Sequence, residues 1–263
     1  MVLPGLQLEA RSPNIQIGLP QFPDAGSISH IKLLIEWIRS CNETHKCLPR
    51  TDANLPTRVI DVGGKDSPNV RLFCDTQGRP GKYLALSHRW GSPAQNKKFC
   101  TEKENLKKHE EGINIADLPK TFRDAIHVTQ NLGVQYLWID SLCIIQNDEK
   151  DWESESKLME QVFGSAYATI AASCASGTDD GFLKARIERR CVTMTNNASG
   201  SKFYLCNAID DFHNDVDQGE LNKRGWVLQE RALSRRTIYF TEKQTYWECG
   251  EGVRCETLTK MKK

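Results

Sequence analysis

No Cys-x-x-Cys pair occurs in this chain, although it has 10 cysteines among its 263 residues. That absence removes thioredoxin-like dithiol chemistry and the commonest zinc-knuckle spacing. No apolar run approaches the ~20 residues that a membrane-spanning helix needs. Net charge is nearly absent too, at +1, so no overall field draws in nucleic acid or an acidic membrane. There is no G-x-S-x-G nucleophile elbow, no internal repeat and no low-complexity segment. The first residues, MVLPGLQLEARSPN, lack the basic start and long apolar stretch of a secretory signal. Together these absences predict a cytoplasmic protein with no membrane span, no nucleic-acid partner and mostly free, buried thiols.

What is present reads as an α/β chain. Hydrophobic residues make up 39% and charged residues 26%, ordinary values for a globular protein. Residues 1–26 are rich in Pro and Gly and read as a loosely held arm. Ile31, Leu34, Ile35 and Ile38 make one apolar stripe and predict a helix over 29–41. YLAL, 83–86, is a short apolar run that stops at Ser87, as a buried strand does. Residues 92–116 are dense in mixed charge and read as an exposed insertion. Asp117 as cap, Pro119 in the first turn and Gly133 at the end bound a helix with Phe122, Ile126 and Thr129 inward. A second buried strand follows at 134–139. A helix over 151–165 then has Trp152, Met159, Val162, Phe163 and Ala166 as its stripe, and YATIAAS, 167–173, is a third strand. Strand and helix alternate, which predicts a parallel sheet flanked by helices. FYLCNAI (203–209) reads as an extra strand, a helix follows over 226–234, and RTIYFT and TYWEC read as additional C-terminal strands.

In such a sheet ligands bind beyond the carboxyl ends of the strands. Ser87, His88, Arg89, Trp90 and Gly91 follow the first strand, Asp140, Ser141 and Cys143 the second, and Ser173 the third. The first turn of the 226–234 helix belongs at the same edge. Trp226 and Glu230 are four apart, so they share a helical face. Each of these residues also has a plain structural reading. Glu230 is then a surface carboxylate paired with Arg231, Arg235 or Arg236, and Trp226 a core residue. Asp140 is then a turn-forming residue. Ser87 and His88 point to opposite faces while extended, which argues against a neighbouring dyad. Glu155, three after Trp152, is a weaker rival carboxylate, read as a first-turn helix residue. Cys143 would act as a nucleophile only with a histidine beside it. Cys41, His45 and Cys47 offer three soft ligands. A zinc ion would need a fourth, from Cys74 or Cys255, and the spacing is no standard finger, so no metal is assigned.

The blocks YLALSHRWG, LPKTFRDAIHVTQNLGVQYLWIDSLCIIQND, DWESESKLMEQVFGSAYATIAAS and RGWVLQERALSRRTIYF…YWEC together resemble the HET, or heterokaryon-incompatibility, domain of filamentous fungi. The resemblance implies a division into an N-terminal arm and helix (1–40), a HET domain (41–257) and a basic tail (258–263). It implies a role in non-self recognition and regulated cell death, and a flavodoxin-like fold similar to the Toll/interleukin-1 receptor (TIR) domain. Many TIR domains cleave the nicotinamide–ribose bond of NAD, with an essential glutamate four residues after a tryptophan. Trp226 and Glu230 have that spacing, which marks Glu230 as the catalytic carboxylate. Ser87, His88, Arg89, Trp90, Asp140, Cys143, Arg224 and Trp226 are then the residues around the nucleotide, with Arg89, Arg224 or Arg231 at its pyrophosphate. NAD would be substrate, with no cofactor required, and a homo-oligomer would complete the site. The rival implication is a non-enzymatic signalling module that self-associates or recruits incompatibility partner proteins.

Overall fold

The computed structural model describes residues 22–47, 54–65, 67–91, 99–186, 188–196, 200, 202–223, 225–258 and 260–261. The chain opens with α1 (Ile28–Thr44), β1 (Val59–Asp61), β2 (Asn69–Phe73) and β3 (Tyr83–Ser87). Next come α2 (Leu106–Glu111), β4 (Ile113–Asn114), α3 (Lys120–Asn131), β5 (Tyr136–Trp138) and the single turn α4 (Asp140–Cys143). They lead to α5 (Glu149–Ser165), β6 (Ala168–Ala171), β7 (Cys191–Thr195) and β8 (Lys202–Cys206). The last elements are α6 (Gly225–Leu233), β9 (Arg236–Phe240), β10 (Thr245–Cys249), β11 (Gly252–Cys255) and β12 (Lys260–Met261).

All five residues of β3 are buried. It pairs in parallel with β5 on one side and β6 on the other, and β9 adds in parallel to β6. A strand covered on both faces must be apolar throughout, which explains the run YLAL. The spatial order β5-β3-β6-β9 is second, first, third and fourth in chain order. That is the order of flavodoxin-like, doubly wound sheets. The α/β expectation therefore holds, but the sheet is mixed rather than parallel. Antiparallel strands extend both edges: β1, β2 and β4 beyond β5, and β10, β11 and β12 beyond β9. The strand expected at 203–209 forms as β8, outside this sheet, in a hairpin with β7. A disulfide joins Cys191 to Cys206 across the hairpin, while the other eight cysteines make no disulfide among the described residues.

Several helix details differ from expectation. In α1 the buried face takes Trp37, and Ile35 points outward. The proposed boundary after residue 40 falls inside this helix, whose inner face belongs to the main core. At the other end Lys260 and Met261 enter the sheet as β12. Asp117 does not cap α3. It ends a 3-10 turn, and Pro119 occupies the cap position. Trp152 is 47% exposed. The inner face of α5 is instead Glu155, Val162 and Phe163. The 92–116 segment is not simply an exposed insertion. Residues 92–98 lie outside the described residues, but beyond them Thr101 and His109 are buried. The Thr101 hydroxyl donates to the Leu142 carbonyl (2.7 Å) and meets His109 Nδ1 (3.0 Å). Most of the 1–26 arm also lies outside the described residues.

Glu155 explains why an apolar stripe fails on α5. Its partner is Arg58, 3.8 Å away, and Arg58 also binds both oxygens of Asp151 at 2.7 and 2.6 Å. The guanidinium Nε donates to the Cys143 carbonyl at 2.7 Å. Burial raises the Glu155 carboxyl above its usual range. Arg58→Ala would leave two carboxylates facing each other in a poorly solvated place. A loss of about 3–5 kcal/mol is expected, read as a lower urea midpoint at unchanged slope.

Candidate active site at the strand ends

The order β5-β3-β6-β9 places the ligand crevice beyond the carboxyl ends of β3 and β6, where the connections diverge. Ser87 ends β3 opposite Ala171, the last residue of β6. The loops after these two strands touch through Gly91 and Gly177. A Cβ on Gly177 would come within 3.0 Å of Gly91 Cα, and Gly91 has φ +85°. Both features favour glycine.

His88, Trp90 and Asp140 are brought together there. Trp90 Nε1 donates to Asp140 Oδ2 at 2.8 Å, and the Ser141 amide donates to Asp140 Oδ1 at 2.7 Å. His88 Nδ1 lies 3.8 Å from the same Oδ1. The His88 ring stacks on Trp90 and meets Phe122 edge-on. Asp140 thus makes the turn that its sequence position predicts, and it also fixes the indole. The Ser87 and Ser141 hydroxyls are buried and have no hydrogen-bond partner among the described residues. Ser87 and His88 therefore form no dyad. The Glu220 carboxyl is held below its usual range chiefly by Lys223, with Arg89 adding to the effect. The 3-10 turn Glu220–Lys223 precedes α6.

Glu230 is buried, with 8% exposure, so the surface-carboxylate reading fails. Arg231 is turned to Asp217 at 2.6 Å and to Glu248 at 3.4 Å, and Arg236 to Asn42. Arg231 is thus committed elsewhere than to a pyrophosphate. One turn before Glu230, Val227 belongs to a small apolar cluster with Ala171 and Tyr239. One turn after it, the Ser234 hydroxyl meets Thr169 Oγ1 at 2.7 Å. Glu230 therefore lies against the sheet, below the edge that holds His88, Trp90 and Asp140. Arg224 and the Trp226 side chain lie outside the described residues. Cys143 is fully buried, and burial pushes its thiol up to about 12. Its sulfur is not presented to the crevice. Glu155 faces Arg58 and takes no part in it. A groove of 810 Å³ lies elsewhere, beside α2 and β4 between Phe99, Lys108, His109 and Ile113.

A second cluster sits at the opposite edge. Ligand atoms of Cys41, His45, Cys47 and Cys249 all lie within 4.8 Å of one another. Neither fourth ligand suggested by the sequence is there. Cys255 Sγ contacts Thr257 Oγ1 at 3.0 Å, and Cys74 neighbours Glu110. Burial pushes the Cys41 thiol up to about 12, with the Arg236 guanidinium pulling the other way. No local spacing could have disclosed Cys249, which comes from the far end of the chain.

The family model for heterokaryon incompatibility protein (HET) matches residues 83–230. That is more than half of the chain, from the first residue of β3 to Glu230. The chain belongs to the HET family. No curated protein and no solved structure matches it. Membership gives this HET chain a heterokaryon-incompatibility-related role. The matched span holds every strand-end residue named above, and the four clustered ligands flank it on both sides. No helix among the described residues is long and apolar enough to cross a membrane.

The buried thiol also bears on nucleophilic chemistry in the HET chain. Cys143 is expected to react with a haloacetamide at neutral pH about a thousandfold more slowly in the native chain than after unfolding. Mass spectrometry of the labelled peptides reads this directly, and a Cys143-based hydrolase would show the reverse.

Proposed function

We propose that this HET domain acts in heterokaryon incompatibility by cleaving NAD at its nicotinamide–ribose bond, with Glu230 as the catalytic carboxylate. One observation carries the reading. The Glu230 carboxylate is held almost out of water on a helix packed against β6 and β9, below the strand-end edge. The strand order supports the comparison with TIR domains.

As the bond breaks, its electron pair leaves with nicotinamide, which departs neutral, and positive charge develops on the ribose. A buried carboxylate beside that sugar stabilises the charge strongly, because little water screens it. Water then adds to the ribose carbon and loses a proton, giving ADP-ribose. Arg89, which follows β3, would pair with the pyrophosphate. Trp90, fixed by Asp140, offers a flat face, and the Ser87 and Ser141 hydroxyls offer hydrogen bonds. Glu230 lies below the edge, so the ribose has to enter between α6 and the loop after β6.

A second reading, a self-associating signalling module without catalysis, is favoured by one observation. The β7–β8 hairpin exposes Val192, Met194 and Leu205. Val192 and Leu205 are cross-strand partners, and Met194 lies two residues from Val192, on the same face. Exposed apolar faces of this kind serve association.

The test is nicotinamide release from NAD by the concentrated chain under crowding, beside Glu230→Gln. Release by the native chain and a fall of about a hundredfold to a thousandfold in the variant are expected, as for loss of a preorganised electrostatic group. Equal release by both would remove Glu230 from the chemistry. No release by a folded, assembled chain would favour the module.

A further inference from the structure

We propose that Cys41, His45, Cys47 and Cys249 are the four ligands of a structural zinc ion. The proposal does not depend on the reading of the strand-end edge. Three of the four residues lie where α1 ends. Cys41 is in its last turn, and His45 is the cap residue whose amide donates to the Cys41 carbonyl at 3.2 Å. Cys47 follows two residues later. Cys249 ends β10 and arrives from the other end of the chain, opposite Arg236 of β9.

The spacing of the donor atoms fits one small ion. Zinc binds thiolate at ~2.3 Å and imidazole nitrogen at ~2.0 Å in a tetrahedron, which sets sulfurs about 3.8 Å apart. The Cys249 Sγ to His45 Nδ1 distance is 3.4 Å, and no pair of the four exceeds 4.8 Å. A modest contraction closes the site. The turn is built to admit it. A Cβ on Gly250 would stand 3.2 Å from Cys47 Sγ, so glycine beside Cys249 leaves room for that sulfur.

Arg236 is the independent observation. It is 1% exposed. Its Nη1 donates to Asn42 Oδ1 at 2.8 Å, while Nε and Nη2 have no hydrogen-bond partner among the described residues. A buried guanidinium with two unmet donors is costly. Zinc with three thiolates and a neutral imidazole carries one net negative charge. Such a cluster gives Arg236 both a counter-charge and sulfur acceptors, as outer groups around metal sites commonly do. Each thiol gives up its proton as the ion binds, so three protons are released and no oxidant is needed. Soft sulfur with imidazole favours zinc over magnesium or calcium. Four protein ligands leave no open position, so the ion is structural rather than catalytic.

The experiment uses the full chain, purified without chelator. Elemental analysis is expected to find about one zinc per chain. After stripping, Co²⁺ titration should give the intense visible bands of tetrahedral thiolate-bound cobalt. Cys249→Ser and Cys47→Ser should lose the bound metal, and Cys74→Ser and Cys255→Ser should keep it. If the first two variants do not fold, alkylation of the native chain decides. Cys41, Cys47 and Cys249 should be protected with metal and labelled after stripping. A zinc-free chain that also yields no tetrahedral cobalt spectrum would overturn the proposal. So would a disulfide mapped among these three cysteines, or metal lost in Cys255→Ser but kept in Cys249→Ser.

Discussion

Strand β3 accepts and donates backbone hydrogen bonds to β5 and β6 at once, and no residue from Tyr83 to Ser87 reaches water. A five-residue strand can hold such a place only if its side chains need no solvent, so polarity begins where the strand stops. That boundary falls between Leu86 and the run Ser87-His88-Arg89. The next strand forms beside β3 and the third on its other side, so the two connections must part company at the carboxyl edge. The crevice there is a consequence of strand order rather than of any one side chain. The residues gathered at it, His88, Trp90 and Asp140, are those that the chain can no longer bury in the sheet.

The antiparallel additions at both edges shift the rest of the burden onto buried polar pairs. On one side Arg58 links β1 to α5 through Asp151 and Glu155. On the other, Arg186 meets Thr245 at the start of β10 and Glu256 beyond β11. Near it His30 of α1 touches Thr245 at 2.9 Å. The segment after β6 is held down by Asp124 of α3, whose Oδ2 accepts from the Phe182 and Leu183 amides. Each pair joins parts of the chain far apart in sequence. The ionic ones are costly to break because a stranded charge remains, which makes them specific fasteners more than sources of stability.

This division explains what the sequence disclosed. The parallel strands were legible because a doubly buried strand is mostly apolar, as YLAL in β3, YLW in β5 and the Ile-Tyr-Phe end of β9 are. The helices between them were legible as elements but less so in detail. Trp152 matches the helical stripe by period, yet the inward position goes to Glu155, because Arg58, just before β1, waits there. Asp117 matches a cap by type, yet a 3-10 turn uses it first. Strand-end residues could be named from topology, and Trp90, His88 and Asp140 do meet. Cys249 could not be named, since partners that meet only through tertiary packing leave no spacing in the chain. At the C-terminal edge TYWEC was legible as a strand and forms β10, but its antiparallel pairing was not. Short strands such as β1 and β4 are set by their neighbours, not by their own pattern.

The two clusters lie at opposite edges of one sheet, and α6 with β9 runs between them. The upper end of α6 follows the 3-10 turn Glu220–Lys223. Its lower end is tied to β6 through Ser234 and Thr169, and Arg236 follows two residues later, bonded to Asn42 of α1. Cys249 pairs with that same Arg236 across β9 and β10. The helix that carries Glu230 is therefore anchored from below by the residues around the thiol cluster, and only its upper turn borders the crevice. The upper part of α6 is packed as well, because Val227 is buried in a cluster with Ala171, Leu221 and Tyr239. The carboxylate therefore sits between two fixed ends, and packing sets its depth below Asp140 and Trp90.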